Sequence, residues 1–153
     1  LQSVYFFVKS AIFANVEFEY KDSRRLGHNG VDVIPSKFSG NNAAMVGAPV
    51  YALYHGHVAR GAVGDNYRAY LRIGATASTV NDVEYELMYS HIKVTKSWAD
   101  VVPGDPIGTI MNITSEDPAY TQGEFNHLHL EIRKRANKYD TFDPEFLLHP
   151  VGG

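Results

Sequence analysis

The sequence predicts a mainly β fold: an antiparallel, sandwich-like domain that ends in one short helical turn. In several segments apolar residues recur at every second position, which is the period of a half-buried strand. Tyrosine and phenylalanine, which favour strands, account for 10 and 8 of the 153 residues. Glycine, proline, asparagine and aspartate separate these segments, as turn residues do between strands. A chain of 153 residues is expected to form a single domain over 1–153, with a core that needs no crosslinks.

Seven segments carry the strand pattern. In the first, residues 16–20, valine, phenylalanine and tyrosine alternate with glutamates. The remaining six, in chain order, are 31–34, 49–59, 66–73, 83–92, 107–113 and 127–133. The helical turn is expected at the end of the chain, where Asp143 suits the N-cap, Pro144 suits the first helical position and Leu148 closes the turn.

Two long connections, 35–47 and 112–126, are rich in polar and turn residues. Long loops without regular structure in a compact domain are often binding loops, so both are candidates to border a site. The alternative is that they are surface loops without a role.

Composition excludes several classes of protein and site. The 14 basic and 17 acidic residues give a net charge of -3, which argues against a nucleic-acid partner. The chain contains no cysteine, so disulfides and thiolate metal sites are absent. Its most apolar stretch, within residues 4–14, is interrupted by Lys9 and is far shorter than the ~20 residues of a membrane span. No feature indicates an oligomeric state.

The most informative stretch is the run from His127 to Glu131. On a strand, residues two apart share a face, so His127, His129 and Glu131 would point one way and the intervening leucines would point into the core. On a helix the two histidines would lie about 200° apart and could not converge. A strand with a polar, solvated face is the alternative interpretation.

A second pair lies near the start of the chain. His28 and Asp32 are four residues apart, and on extended chain an even offset places both on one side. An imidazole and a carboxylate are plausible ligands of Zn²⁺, and a catalytic zinc takes three protein ligands and leaves one position open. His28 and Asp32 with either His127 or His129 could supply them. The alternative for His28 and Asp32 is a surface pair without a role. The remaining histidines, including His91, could then transfer protons or hold an oxyanion.

The order of these motifs resembles the lysostaphin/LytM-like zinc metallopeptidases, which cut peptide cross-links or stem peptides of bacterial cell walls. The resemblance covers about residues 28–148 and leaves 1–25 as an unassigned N-terminal strand extension. The matching segments are GHNGVDV at 27–33, APVYA at 48–52 with GHV at 56–58, YSHI at 89–92, VPGDPIG at 102–108, NHLHLE at 126–131 and FDPEFL at 142–147.

The resemblance implies a zinc-dependent peptidoglycan endopeptidase that uses a metal-activated water in an active-site groove. His28, Asp32 and His129 would be the zinc ligands, and His91 and His127 the catalytic pair. Glu131 would support the site without being a ligand, and Tyr89 and the long loops would flank the groove. The protein would act outside the cell or at the cell wall, in the periplasm, or as part of a phage virion. The cleaved bond would be in a glycine bridge, a D-alanyl–diaminopimelate cross-link or a stem peptide.

The sequence also departs from the family pattern. The connections 35–47 and 75–84 are longer than usual, residues 111–114 replace the common glycines, and Asn126 stands where proline is common. These departures bear on the substrate more than on the chemistry. The other histidines, at positions 55, 57 and 149, are expected to lie on the surface.

Two further hypotheses compete with an enzyme. A catalytically silent wall-binding or regulatory module would share the fold but lack ligands, and here all five positions are present. A biotinyl or lipoyl carrier domain would share the hairpin at 102–108, but neither Lys93 nor Lys96 lies in a suitable hairpin tip.

Overall fold

A computed structural model describes residues 9–60, 67–116 and 125–148, which fold into two antiparallel β-sheets. The mainly β, antiparallel class predicted from the sequence is confirmed. These described ranges contain twelve strands: β1 (Lys9–Ser10), β2 (Val16–Asp22), β3 (Val31–Pro35), β4 (Pro49–Tyr51), β5 (Gly56–Arg60), β6 (Arg68–Ile73), β7 (Tyr85–Ser90), β8 (Ile92–Val94), β9 (Ala99–Val101), β10 (Pro106–Ile110), β11 (Leu128–Lys134) and β12 (Asn137–Phe142).

The larger sheet has nine strands in the spatial order β1-β2-β3-β11-β7-β6-β5-β9, and β12 pairs with the far half of β11. The smaller sheet has the order β4-β10-β8. One cluster of buried apolar residues draws on both sheets, with Leu71, Leu87 and Leu130 from the larger and Val50 and Ile107 from the smaller. Burying these side chains from water is the main stabilising contribution to the packing of the two sheets.

Strand β11 runs through the centre of the larger sheet and has two chemically different faces. Leu128, Leu130 and Ile132 are buried in the core. The side chains between them face away from the core, as the alternation in the sequence predicts. This strand therefore carries the predicted site residues on a face that the core leaves open.

Two predicted strands are divided between the sheets. Segment 49–59 splits into β4 and β5, because the chain crosses from the smaller to the larger sheet at residues 52–55. Segment 83–92 likewise ends as β7 at Ser90 and continues in the smaller sheet as β8, with His91 between them in a left-handed conformation at φ 66°. Periodicity alone does not reveal such crossings, since both halves keep the strand pattern.

The helices in the described ranges are short. The C-terminal turn was predicted, and α3 (Glu145–Leu148) begins where the Asp143 side chain accepts a hydrogen bond from the Glu145 N–H at 3.0 Å. Two other four-residue helices, α1 (Asn42–Met45) and α2 (Ile113–Glu116), lie in segments predicted as loops or strand. No helix among the residues described is long and apolar enough to cross a membrane.

The described part of the N-terminal extension, residues 9–25, belongs to the larger sheet. Within residues 9–25, β1 pairs with β2, and β2 pairs with β3. The strands β1, β9 and β12 were not predicted, because two of them have only two or three residues and β12 is mostly exposed and polar.

Candidate metal centre and groove

Two neighbouring strands bring an aspartate and a histidine together. Asp32 on β3 is directly opposite His129 on β11 in the antiparallel pairing, so their side chains share a face. His129 donates a hydrogen bond from Nδ1 to Asp32 Oδ1 at 2.8 Å. Residues separated by 97 positions in the chain thus meet as the sheet forms.

His28 reaches the same carboxylate from the turn before β3. Its backbone pairs with that of Arg25 in an isolated bridge, and its ring nitrogen Nε2 lies 3.3 Å from Asp32 Oδ1. Gly30 allows the turn to approach β11, because a Cβ at this position would overlap the carbonyl oxygen of Leu130. The glycine of the predicted motif therefore has a packing role.

Hydrogen bonds determine which nitrogen each ring presents. His28 donates from Nδ1 to the Ser23 carbonyl at 2.8 Å, and His127 donates from Nδ1 to the Phe125 carbonyl at 2.6 Å. A carbonyl only accepts, so in the neutral rings Nε2 keeps its lone pair. In His127 this Nε2 lies 3.4 Å from Asp32 Oδ1. The ring of His129 is held on both sides, since Nδ1 donates to Asp32 and Nε2 donates to Glu131, each at 2.8 Å.

These contacts form a group that could hold a metal ion. One potential ligand atom each from His28, Asp32 and His129 lies within 4.8 Å of the others. Two imidazoles and one carboxylate are a donor set found in catalytic zinc sites, which leave a further position for water or substrate. The same three residues were inferred from the family resemblance, and His127 lies beside them without being part of the group.

The electrostatics of the site favour a positive charge between two carboxylates. Burial alone would lower the pKa of His129, but its hydrogen bonds to Asp32 and Glu131 raise that pKa to about 9. Burial would raise the pKa of Asp32, yet the bond from His129 and the neighbouring imidazoles hold it below its usual value. Burial would also raise the pKa of Glu131, yet the bond from His129 lowers it, with Arg133 and Arg68 contributing. Both carboxylates are therefore ionised, and the protonated His129 lies between them.

His91 reaches the site through its unusual backbone. In an extended strand its side chain would follow Leu87 and Tyr89 into the core. The left-handed φ of 66° turns the chain, and the buried ring packs edge-on against His127 with 4.9 Å between centroids. A non-glycine residue in this region is strained, and such strain is concentrated at functional sites.

The histidines lie at one end of a groove with a volume of about 750 Å³. Its floor is the polar face of β6, β7 and β11 with Asp32 of β3 at the edge, and the residues of these strands align in rows across the sheet. The first row is Asp32, His129, Ser90 and Arg68, the second Glu131, Met88 and Tyr70, and the third Arg133, Glu86 and Arg72. Arg135, Lys138 and Tyr139 continue the wall beyond β11.

The structure corrects the expected positions of two residues, Tyr89 and His57, and does not describe a third, His149. Tyr89 does not flank the groove: it is fully buried in the core, where its hydroxyl accepts a hydrogen bond from Leu53 N–H at 3.0 Å. His57 is not on the surface, since it is buried on β5 with Nδ1 2.7 Å from Asp100 Oδ1. His55 is exposed as expected. His149 lies outside the described residues.

The long connection 35–47 has a structural role that the sequence did not indicate. Its helix α1 provides Asn42, whose side chain accepts a hydrogen bond from Asn126 N–H at 2.6 Å. The buried Asn126 side chain also donates to the Asn42 carbonyl and accepts from Ile113 N–H at 2.9 Å. None of residues 35–47 lines the groove. The connection supports the chain just before His127 and does not cover the site, whereas part of 112–126 lies outside the described residues.

The structure also identifies groove residues that sequence reasoning missed. Arg68, Tyr70, Glu86 and Arg133 lie on the groove floor. Alternation within each strand could have placed them on the polar face, but the order of strands in the sheet was needed to bring them beside the histidines.

No family model and no curated protein sequence matches the chain. Several solved structures do match. The antimicrobial peptidase lysostaphin from Staphylococcus simulans aligns with 97% of this chain at 19% identity and a TM-score of 0.56, and the chain spans about half (51%) of that chain's length. The isolated catalytic domain of lysostaphin aligns over 92% of this chain and 98% of its own, with 20% identity and a TM-score of 0.58.

A third similar structure is the M23 metalloprotease pseudoalterin from the deep sea. It covers 90% of this chain and 75% of its own, at 12% identity and a TM-score of 0.60. The fold is that of the lysostaphin-like M23 peptidases. At these identities the comparison shows a shared fold. The aligned region covers nearly the whole catalytic domain of lysostaphin.

Proposed function

We propose that this chain is a zinc-dependent endopeptidase that hydrolyses peptide bonds of bacterial peptidoglycan, in cross-links or in stem peptides. The observation that carries the proposal is the group of His28, Asp32 and His129 at the end of an open groove, with two further histidines beside it. The names of the structural relatives, an antimicrobial peptidase and a metalloprotease, support a peptidase.

His28, Asp32 and His129 would hold the metal. When bound, zinc supplies a Lewis acid that polarises a peptide carbonyl and lowers the pKa of water from 15.7 to about 7. The hydrogen bonds of His28 to Ser23 and of His129 to Glu131 orient the rings so that Nε2 of His28 and Nδ1 of His129 face the carboxylate of Asp32. Such outer hydrogen bonds are a regular feature of zinc sites.

His127 and His91 would carry the proton transfers. Because Nδ1 of His127 donates to a carbonyl, Nε2 is the nitrogen that faces the centre and can accept a proton. His91 packs against it and lies 6.2 Å from His129, measured between ring centroids. One ring would accept the proton of the attacking water and later protonate the leaving amine, and the other would stabilise the tetrahedral oxyanion.

Location follows from the proposed substrate. An enzyme that cleaves peptidoglycan must act where the wall is, so we place this protein outside the cell, in the periplasm or in a phage virion.

Digestion of purified peptidoglycans of different cross-link types, with mass analysis of the released fragments, tests the proposal. We expect cleavage that a zinc chelator abolishes and added zinc restores. His129→Ala should lose both metal and activity, whereas His55→Ala, which changes an exposed histidine outside the groove, should retain both. Cleavage by metal-free His129→Ala would exclude the zinc mechanism. A protein that binds zinc but cleaves no wall would instead be a regulatory module.

A further inference from the structure

The groove floor contains a patch of buried charges beside the metal centre. Arg72 on β6, Glu86 on β7 and Arg133 on β11 lie opposite one another in one row across the sheet. Glu131 lies two positions before Arg133, on the same face of β11. Each of these four residues is at most 9% exposed. Burying a charge is costly unless it is paired, so the pairing within this patch determines where each side chain lies.

Glu86 is at the centre of this patch and is bonded to an arginine on each side. Its Oε2 accepts a hydrogen bond from Nε of Arg72 at 2.8 Å, and its Oε1 accepts one from Nε of Arg133 at 3.2 Å. Arg72 also donates to the Val80 carbonyl at 2.7 Å, which ties the patch to the long connection 75–84. Because both of its oxygens are bonded, Glu86 is a fixed point to which Arg133 is attached.

Arg133 lies between two carboxylates but donates a hydrogen bond to only one of them. Its Nε is bonded to Glu86, whereas its Nη1 lies 3.7 Å from Oε1 of Glu131, which is beyond hydrogen-bond distance. The Tyr70 ring also packs against the guanidinium, with 5.1 Å between Cζ of Arg133 and the ring centroid. Arg133 therefore attracts Glu131 electrostatically without forming a hydrogen bond to it.

This arrangement leaves Glu131 free to hold the ring of His129. Oε2 of Glu131 accepts the 2.8 Å hydrogen bond from Nε2 of that ring. Glu131 is also the second carboxylate within salt-bridge distance of Arg133, so a guanidinium released from Glu86 would turn towards it. A bidentate pair with arginine uses both oxygens of a carboxylate. A released Arg133 would thus compete with His129 for Oε2 of Glu131.

We propose that Glu86 is a positioning residue for His129: it holds Arg133 away from Glu131, so that Glu131 stays bound to Nε2 of the ring. The inference rests on the proposed function and adds to it a residue that acts on the metal centre through two others. Loss of a direct partner of a metal-binding histidine typically weakens metal binding by about 10- to 100-fold. Because Glu86 acts from one step further away, we expect its loss to weaken zinc binding by about three- to tenfold.

Zinc affinity in a series of variants, measured by competition with a fluorescent chelator, tests this role. The starting protein is Arg72→Met, which keeps the bond between Glu86 and Arg133 and should bind zinc normally. Adding Glu86→Leu removes one anion after one cation and releases Arg133, so zinc binding should weaken by about three- to tenfold. Adding Arg133→Met as well removes the competitor and should restore the affinity of Arg72→Met. Apolar replacement of a whole buried ion-pair group is often tolerated, and thermal unfolding verifies that each protein is folded.

A Glu131→Ala background shows whether the contacts act in series. There, Arg72→Met/Glu86→Leu should weaken zinc binding no further, because the hydrogen bond that it disturbs is already absent. Glu86→Gln, a second variant that keeps the shape of the side chain, should likewise weaken zinc binding only while Glu131 is present. Equal reductions with and without Glu131, an affinity that Arg133→Met fails to restore, or no reduction in either Glu86 variant would overturn the proposal.

The ring of His129 also gives a readout that needs no metal. In the metal-free protein its Nε2 proton is hydrogen-bonded to Glu131, so it should exchange slowly with water and give a downfield proton resonance that His129→Gln lacks. Glu86→Leu in the Arg72→Met protein should weaken or remove this resonance, and Arg133→Met should bring it back.

This spectrum separates the inference from the proposed function. A resonance that depends on Glu86, in a protein that binds no zinc and cleaves no wall, would refute the enzyme and leave the positioning role standing. Chelator-sensitive cleavage, with a resonance and a zinc affinity that Glu86 does not alter, would do the reverse.

Discussion

Glu131 and His129 are joined by a 2.8 Å hydrogen bond from ring Nε2 to carboxylate Oε2, while Nδ1 of the same ring faces Asp32. The two residues lie on one face of β11 because they are two positions apart. Glu131 thereby holds the proton on Nε2, so the proton on Nδ1, which is donated to Asp32, is the one that a metal would displace. A residue that is not a ligand thus determines which atom of His129 can bind.

Replacing Glu131 should weaken metal binding without removing a ligand. We expect Glu131→Ala to reduce zinc affinity by about 10- to 100-fold, the usual effect of losing such a partner, and Glu131→Gln to reduce it less because the amide oxygen can still accept the bond. Competition with a fluorescent chelator measures this. Glu84→Gln, at an exposed carboxylate, is the matched control, and equal affinities for all the proteins would contradict the prediction.

The metal-free protein should lose stability as the solution becomes alkaline. Burial opposes the charge on His129, but Asp32 and Glu131 raise its pKa from 6.5 to about 9. Because the folded pKa is the higher one, protonation stabilises the fold fully below pH 6.5, and this contribution disappears as the pH rises through about 9. Urea unfolding of chelator-treated protein should show the decline, and His129→Gln should lack it. The same decline in the His129→Gln protein would show that other titratable groups cause the loss of stability.

Asn126 should affect catalysis without affecting the metal. Its three hydrogen bonds join α1 and α2 to the chain that enters β11. Asn126→Ala removes the two made by the side chain and leaves the N–H of the buried Ile113 unsatisfied, at a cost of about 1–3 kcal/mol. We expect a lower free energy of unfolding and a reduced kcat through displacement of His127, with zinc affinity nearly unchanged. Unaltered kcat in a destabilised variant would limit Asn126 to a structural role.

Gly30 should tolerate no side chain. The carbonyl of Leu130 occupies the space that a Cβ needs, so Gly30→Ala must push the turn away from β11. Overpacking of this kind costs about 1–3 kcal/mol, and the shift would carry His28 away from Asp32. Thermal unfolding and zinc titration should both report the change. Asn29→Ala, at the exposed neighbouring position, serves as the stability control, and a fully stable, zinc-binding Gly30→Ala would refute the packing argument.

Tyr89 should behave as a core residue. Tyr89→Phe removes only the hydroxyl that accepts from Leu53 N–H, and we expect a loss of about 1 kcal/mol in the free energy of unfolding. KM for a cleaved peptide should stay the same, because the side chain is fully buried away from the groove. A raised KM with unchanged stability would indicate that Tyr89 lines the groove.

Much of the site could be anticipated from the sequence, because side-chain alternation is a local property. The pattern around residues 127–132 was sufficient to place His129 and Glu131 on one face and the leucines between them in the core. The HNGVD segment likewise placed His28 and Asp32 on one side, since an even offset and a glycine turn keep them there, and only the family resemblance assigned them a joint role. The mainly β class rests on the same alternation.

The arrangement of strands in space was decided only by the tertiary structure. The alternation along β7 would point the His91 side chain into the core. His91 instead has a left-handed backbone where the chain crosses between the two sheets, and this turns its ring toward His127. Arg68 came to lie in the same row of the sheet as His129 through the order β11-β7-β6, which joins residues far apart in the chain. Asn126 meets Asn42 across 84 positions for the same reason. Local patterns specify the face on which a side chain lies, but pairing between distant strands determines which side chains meet there.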